Sequence, residues 1–384
     1  MSLTLLLVAA LQVTSAPAIA PKAPVAAPPG TPAAGSTSQA AAAMPRPAAL
    51  DTPIVRGLYV NRWAVQSAKR MRALIDLADR TEVNALVLDM KDEFGLNYES
   101  RQPAISRNAG NAGAVRNLRA LLDTLKAHQI VAIARIVVFK DSVAARVNPG
   151  WTIRKADGSV WRDHKGLAWV NPFNRDLWEY NLGVAEELAA LGFPEIQFDY
   201  IRFPEPYRTL APQVFPGAND APKPQTIAEF LSVARARLSK RGVRSTADIF
   251  GLATTMAAAL EVAQQWELLA PVTDVLLPMV YPSHYPRGAF GAARPNAEPY
   301  LVVHAAIKRA RERNLKLGIA GRTAVRPWLQ AFSIGKPEYT AAEVKEQMRA
   351  TYDAGYEGWI LWSPGSKYER FVPALERTLQ PRAK

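Results

Sequence analysis

"EIQFDYIRFPEP", residues 195–206, decides how the chain is read. The run is short and rich in Ile, Phe and Tyr, the composition of a β-strand. Its middle is apolar apart from Gln197 and Asp199, which period-two geometry puts on one side. A strand covered on both faces belongs to a parallel sheet wrapped by helices. Asp199 comes late in the strand, and a buried carboxylate costs several kcal/mol unless it is paired or neutralised. In closed α/β barrels the C-terminal strand ends carry the active site, so a carboxylate there has a functional reading.

Seven more apolar runs repeat the pattern: "RGLYVNR" (56–62), "ALVLDMKD" (85–92), "IVAIARIVVF" (130–139), "STADIFGL" (245–252), "DVLLPMVYP" (274–282), "KLGIAGRTA" (316–324) and "GWILWSPG" (358–365). Helix-period segments lie between them, for example 67–80, 175–192 and 341–355. The last two end on glycine, which suits a helix C-terminus. Strands separated by helices are parallel, and eight such units predict a (β/α)8 TIM barrel over residues 51–384. An open doubly wound sheet is the competitor, but no dinucleotide-type glycine fingerprint supports it.

The chain has 384 residues and no cysteine, which excludes disulfides, thiolate catalysis and Cys-ligated zinc. Its four histidines share no metal-ligand spacing, so no metal or other cofactor is expected. The net charge of +13 favours anionic partners, although much of it sits on helical stretches such as "AIKRARERN" (306–314), where it reads as a solvated face. With no recognition helix or aromatic-and-basic fold beside it, the charge predicts no nucleic-acid binding. Residues 1–20, "MSLTLLLVAALQVTSAPAIA", form a signal-like apolar segment with small residues around Ala16 and Ala20, though without Lys or Arg before it. Residues 21–50 are almost wholly Ala, Pro, Gly, Ser and Thr, a composition expected to form a disordered linker. The expectation is an exported protein, periplasmic or extracellular, whose mature form has no transmembrane helix.

Around the expected barrel mouth the strand ends supply Asp89 and Lys91, Arg135, Gln197 and Asp199, Asp248, Tyr281 and Trp362. Asp89 and Lys91 are two apart and expected on one face. Tyr281, His284 and Tyr285 share the proline-bounded stretch "MVYPSHYPRG" (279–288). Carboxylates with flanking aromatic planes are what glycoside hydrolysis requires: one acid for the leaving oxygen, one base or nucleophile, and flat surfaces for sugar rings. The loop 140–172 is long enough to be functional and carries Trp151, Trp161 and Trp169 among basic residues. Trp169 is a candidate sugar contact, with pinning of the loop to the barrel as the equal alternative. "KADGSVW" (155–161) reads as a hairpin about Asp157-Gly158.

The stretches "FDYIRFP" (198–204), "VNPFNRDLWEYNLGVAEELAALGF" (170–193), "DIFGLATT" (248–255), "LPMVYPSHYPRG" (277–288) and "GWILWSPGSKY" (358–368) occur in an order that resembles the "putative glycoside hydrolase domain" family. These are bacterial barrels distantly similar to the α-amylase superfamily, and the resemblance covers about residues 53–378. It implies a carbohydrate-active barrel with Asp199 where related barrels carry the nucleophile or a key carboxylate. Those relatives often place a Glu as acid at the end of the fifth strand. Here that position offers Asp248, with Asp89, Asp92 and Glu205 as substitutes. The expected function is hydrolysis of a cell-envelope or extracellular polysaccharide, with an anionic one suited to the cations. The alternative is a barrel that binds carbohydrate without cleaving it.

Overall fold

The computed structural model describes residues 54–376 apart from 219 and 221. The signal-like segment and the linker lie outside the described residues. Eight parallel strands form the frame: β1 (Arg56–Val60), β2 (Ala85–Asp92), β3 (Val131–Val137), β4 (Glu195–Asp199), β5 (Arg244–Phe250), β6 (Val275–Met279), β7 (Trp328–Gln330) and β8 (Trp359–Trp362). Each pairs with the next, and β8 pairs with β1, so the sheet closes on itself. The expected TIM barrel is what the chain forms.

Helices α1 (Ala68–Asp79), α2 (Leu118–Ala127), α3 (Arg175–Leu191), α4 (Lys223–Ser239), α5 (Trp266–Leu269), α6 (Pro299–Lys316) and α7 (Ala341–Asp353) fill the crossovers. Local chemistry sets their ends. The Asn174 side chain accepts from Leu177 N at the start of α3, and Gly192, at φ 116°, takes the left-handed turn that ends it. α7 opens with a reciprocal capping box between Thr340 and Glu343. Apolar burial divides into two layers. A small core inside the barrel includes Val87, Ile133, Leu277 and Ile360, and a larger one lies between strands and helices. No helix among the described residues is long and apolar enough to cross a membrane.

The seventh strand differs from its sequence reading. Residues 316–324 finish α6 and turn through Gly318, at φ 68°, with Ile319 N bonded back to Asn314 O. Pairing with β6 begins only at Ala324–Val325, and Arg326-Pro327 separates that piece from β7. Proline has no N–H for the ladder, so the strand is short and split. β4 is also shorter than its apolar run, because Tyr200 adopts φ 50° directly after Asp199. The hairpin at Asp157-Gly158 forms as expected, with Arg154 bridging Val160 and Gly158 at φ 80°. Arg154 also pairs with Val214, so the loops after β3 and β4 lie against each other.

Candidate active site

Alternation along β2 to β5 sends Asp89, Arg135, Gln197, Asp199 and Asp248 into the barrel. Arg135 is their hub. Its Nε donates to Asp199 Oδ2 at 3.0 Å and its Nη2 donates to the same oxygen. Its Nη1 donates to Asp89 Oδ1 at 2.5 Å, and Nε lies 3.8 Å from Asp248 Oδ2. The other Asp199 oxygen accepts from Tyr200 N at 2.5 Å, a bond that the left-handed Tyr200 backbone sets up. That conformation costs a non-glycine residue on the order of 1–3 kcal/mol and persists where surrounding structure enforces it. The desolvation of Asp199 is thus offset by two guanidinium donors on one oxygen and a backbone donor on the other.

Three carboxylates share this single guanidinium, so they cannot all be charged at low cost. Asp248 is the deepest, 1 % exposed, accepting from Gln197 Nε2 at 3.0 and 3.1 Å and from Trp328 Nε1 at 2.6 Å. Burial first, then the charge of Asp199, raises its pKa well above the ordinary aspartate value. Burial also lifts Asp89 to about 6, against the pull of Arg135, while Tyr59 OH donates to its second oxygen at 2.5 Å. The mouth therefore pairs a cation-held carboxylate, Asp199, with two neighbours whose pKa values burial raises. Pushing the pKa values of neighbouring acids apart is how a site divides the roles of acid and base. Among the described residues no group of three His, Asp or Glu side chains is placed to hold a metal ion.

An aromatic wall stands beside these acids. Tyr281 stacks on Trp362 with centroids 5.2 Å apart and planes at 19°, and Phe332 meets both edge-on. Tyr59 completes the group, 6.2 Å from Trp362. Burial raises the Tyr281 hydroxyl pKa, and the nearby charges of Asp248 and Asp199 add to the shift. His284 is exposed next to Tyr281, with ring centroids 5.3 Å apart.

Other expected site residues lie elsewhere. The β2–β3 register shifts between Asp89 and Lys91, so the two do not share a face. Lys91 is fully buried against Asp141, with Nζ to Oδ2 at 2.7 Å and the Tyr180 ring of α3 alongside. Tyr285 packs on Phe290, and its hydroxyl occupies the space where a Cβ on Gly251 would go. Trp169 is buried, donating to Asp163 Oδ2 at 3.0 Å and meeting Tyr200 edge-on, while Trp161 donates to Ala211 O at 2.8 Å. Both tryptophans pin the loop that carries them. Asp92 is paired with buried Arg62 at 2.8 Å, and Glu205 lies 3.1 Å from Arg202.

Tyr59, Trp328 and Phe332 escaped the sequence reading. Tyr59 alternates with Gly57 in "RGLYVNR" and could have been placed inside the barrel on that basis. Trp328 was out of reach once the seventh strand was assigned to 316–324.

A closed (β/α)8 barrel with acids and aromatics at the C-terminal ends of its strands fits the glycoside-hydrolase-like class. Residues 57–368 match the family described as "Putative glycosyl hydrolase domain", and the chain belongs to that family. Among solved structures, the glycoside hydrolase domain of PgaB (BpsB) from Bordetella bronchiseptica is similar over 84 % of this chain and 98 % of its own, at 16 % identity and TM-score 0.58. A β-N-acetylhexosaminidase is similar over 86 % of this chain and 73 % of its own, at 14 % identity and TM-score 0.53. These two likenesses show the fold. A hypothetical protein from Ruminiclostridium thermocellum is 38 % identical over 50 % of this chain and 96 % of its own, at TM-score 0.45. A search of curated proteins finds no match to this chain.

Proposed function

We propose that the domain hydrolyses a polysaccharide, with Asp199 as the arginine-held carboxylate at the reacting sugar and Asp89 as the proton donor. The observation that carries this reading is the convergence of Asp199 and Asp89 on opposite arms of Arg135 beside the Tyr281–Trp362 stack. Asp199, held by a cation, suits attack on the anomeric carbon or stabilisation of an oxocarbenium-like centre. Asp89, lifted to about 6 by burial, keeps its proton in mildly acidic solution and can deliver it to the leaving oxygen. Asp248, sealed under Gln197 and Trp328, tunes the pair from below rather than touching the sugar.

Lys140, over the Tyr200 ring at 4.8 Å, supports a substrate that carries anionic groups. The apolar residues 1–20 support export. Mass analysis of the secreted protein tests that point: an intact Met1 on the exported chain would overturn it.

The burial of Asp248 also favours a second reading, a barrel that binds carbohydrate without cleaving it, because the fifth-strand acid is out of a sugar's reach. Release of reducing ends from a panel of polysaccharides separates the two. Hydrolysis by the native protein that disappears in Asp199→Asn supports the enzyme. Binding without release by either form supports the binding barrel.

A further inference from the structure

Two of the most exposed large apolar side chains among the described residues are aromatic, and they stand next to each other. Trp63 is 55 % exposed and Phe94 is 48 % exposed, with ring centroids 6.1 Å apart and planes at 51°. Trp63 lies in the short helix Arg62–Gln66 directly after β1. Phe94 lies at the turn of the hairpin by which β2 continues to the short strand Gly95–Leu96. Both are therefore on the same rim as Tyr59 and Asp89, which come from the same two strands.

What lies under the pair is rigid. Arg62 is buried, and its one guanidinium holds both turns: Nε to Asp92 Oδ2 at 2.8 Å, Nη2 to Gly95 O at 2.6 Å and Nη1 to Gly113 O at 3.0 Å. Asp92 Oδ1 accepts from Phe94 N at 2.9 Å. Gly95, at φ 101°, packs so close to the chain that a Cβ there would come 2.2 Å from Ala109 O. A buried ion pair costs desolvation that packing could avoid, so its use under two solvent-facing rings points to positioning of those rings. Apolar aromatic surface fixed in water is what a pyranose face covers on binding.

We propose that Trp63 and Phe94 form a distal platform that binds a sugar unit of a glycan chain beyond the one held at Asp199 and Asp89. This inference rests on the carbohydrate reading of the mouth. The Phe94 turn begins at Asp92, three residues past Asp89, about 10 Å along a strand. That is too far for the sugar at the carboxylates, so the platform serves a polymer and adds nothing for a single sugar.

Affinity electrophoresis in gels cast with soluble polysaccharides tests it: alginate, glycol chitin, hydroxyethyl cellulose and partially deacetylated poly-N-acetylglucosamine. The full chain carrying Asp199→Asn, which removes turnover, is the parent. It is expected to be retarded in at least one gel. Trp63→Ala added to that parent should weaken retention at least tenfold, Trp63→Phe should largely restore it, and Phe94→Ala should weaken it less. Both alanine variants should melt with the parent, since the rings are exposed. Retention unchanged by Trp63→Ala and Phe94→Ala together would overturn the platform and leave the carbohydrate reading standing. A parent retarded in none of the gels would count against the carbohydrate reading and remove the platform with it.

Discussion

The two ends of the barrel interior each bury an ion cluster, and the clusters are built on opposite plans. At the N-terminal end, Glu195 opens β4 and accepts from Arg326 Nη1 at 2.6 Å, with Arg244 Nε 3.3 Å from its other oxygen. One carboxylate faces two guanidinium groups. Burial works to raise the Glu195 pKa, but Arg326 and Arg244 bring it below the ordinary glutamate value. At the mouth the count is reversed, with three carboxylates around Arg135, and burial raises Asp89 and Asp248. The closed end has surplus cation and a satisfied acid, a structural arrangement. The open end has surplus acid with raised pKa values, a perturbation that clusters at functional sites. The difference teaches that a buried ion cluster is read by its balance of charges, since both ends join arginine to carboxylates.

The comparison breaks first at Asp199. Asp199→Asn keeps the shape of the mouth and should lower polysaccharide turnover at least about a thousandfold, roughly 4 kcal/mol of transition-state stabilisation, with circular dichroism unchanged. Activity within tenfold of the native protein would make the mouth cluster as structural as the other end.

Glu195→Gln should do the converse. It leaves Arg326 buried without its counter-charge and should cost about 3–5 kcal/mol of stability, while specific activity of the folded protein stays unchanged. Chemical denaturation measures the first and an activity assay well below the melting temperature the second. A loss of activity without a loss of stability would reverse the assignment of the two ends.

The pH responses should also oppose each other. The folded pKa of Asp89, about 6, is above its ordinary value of 3.8, so the folded state binds the proton more tightly. Stability from this group is full below pH 3.8 and is lost as pH rises towards and through 6, by about 3 kcal/mol at most. The lowered pKa of Glu195 works the other way: its stabilisation is present above the ordinary glutamate range and is lost as pH falls through the folded value. Asp89→Asn should remove the decline between pH 4 and 6, seen as a flatter melting temperature across that range. Activity should fall with an apparent pKa near 6 as Asp89 loses its proton, and persistence of full activity to pH 8 would remove Asp89 as the donor.

The smallest effect is expected at Trp362, which adds an aromatic surface but no charge. Trp362→Ala should raise KM about tenfold with kcat little changed, because stacking binds ground and transition states alike. An equal fall in kcat would instead place Trp362 in the support of Tyr281.

Much of this was legible in the chain. Period-two alternation put Asp199 with Gln197, and strand order brought Arg135 to the same mouth. The misses have local causes. Lys91 follows Asp89 by two residues, but the register shift between them turns it to Asp141 on the outer side. Trp169 and Tyr285 are exposed-looking residues of loops, and only the packing of those loops shows that they face inward. Trp328 was missed because Pro327 divides its strand and left too short an apolar run to recognise.

The sequence by itself determined the barrel, since eight apolar runs with helices between them have few other ways to cover both faces, and it placed acids and aromatics at the C-terminal strand ends. Tertiary structure decided how the three acids at the mouth differ. Asp89, Asp199 and Asp248 are the same side chain in the chain's chemistry. Their differences come from depth, from the arms of Arg135 and from donors such as Tyr59 and Trp328, which converge from strands far apart in sequence only when the barrel closes.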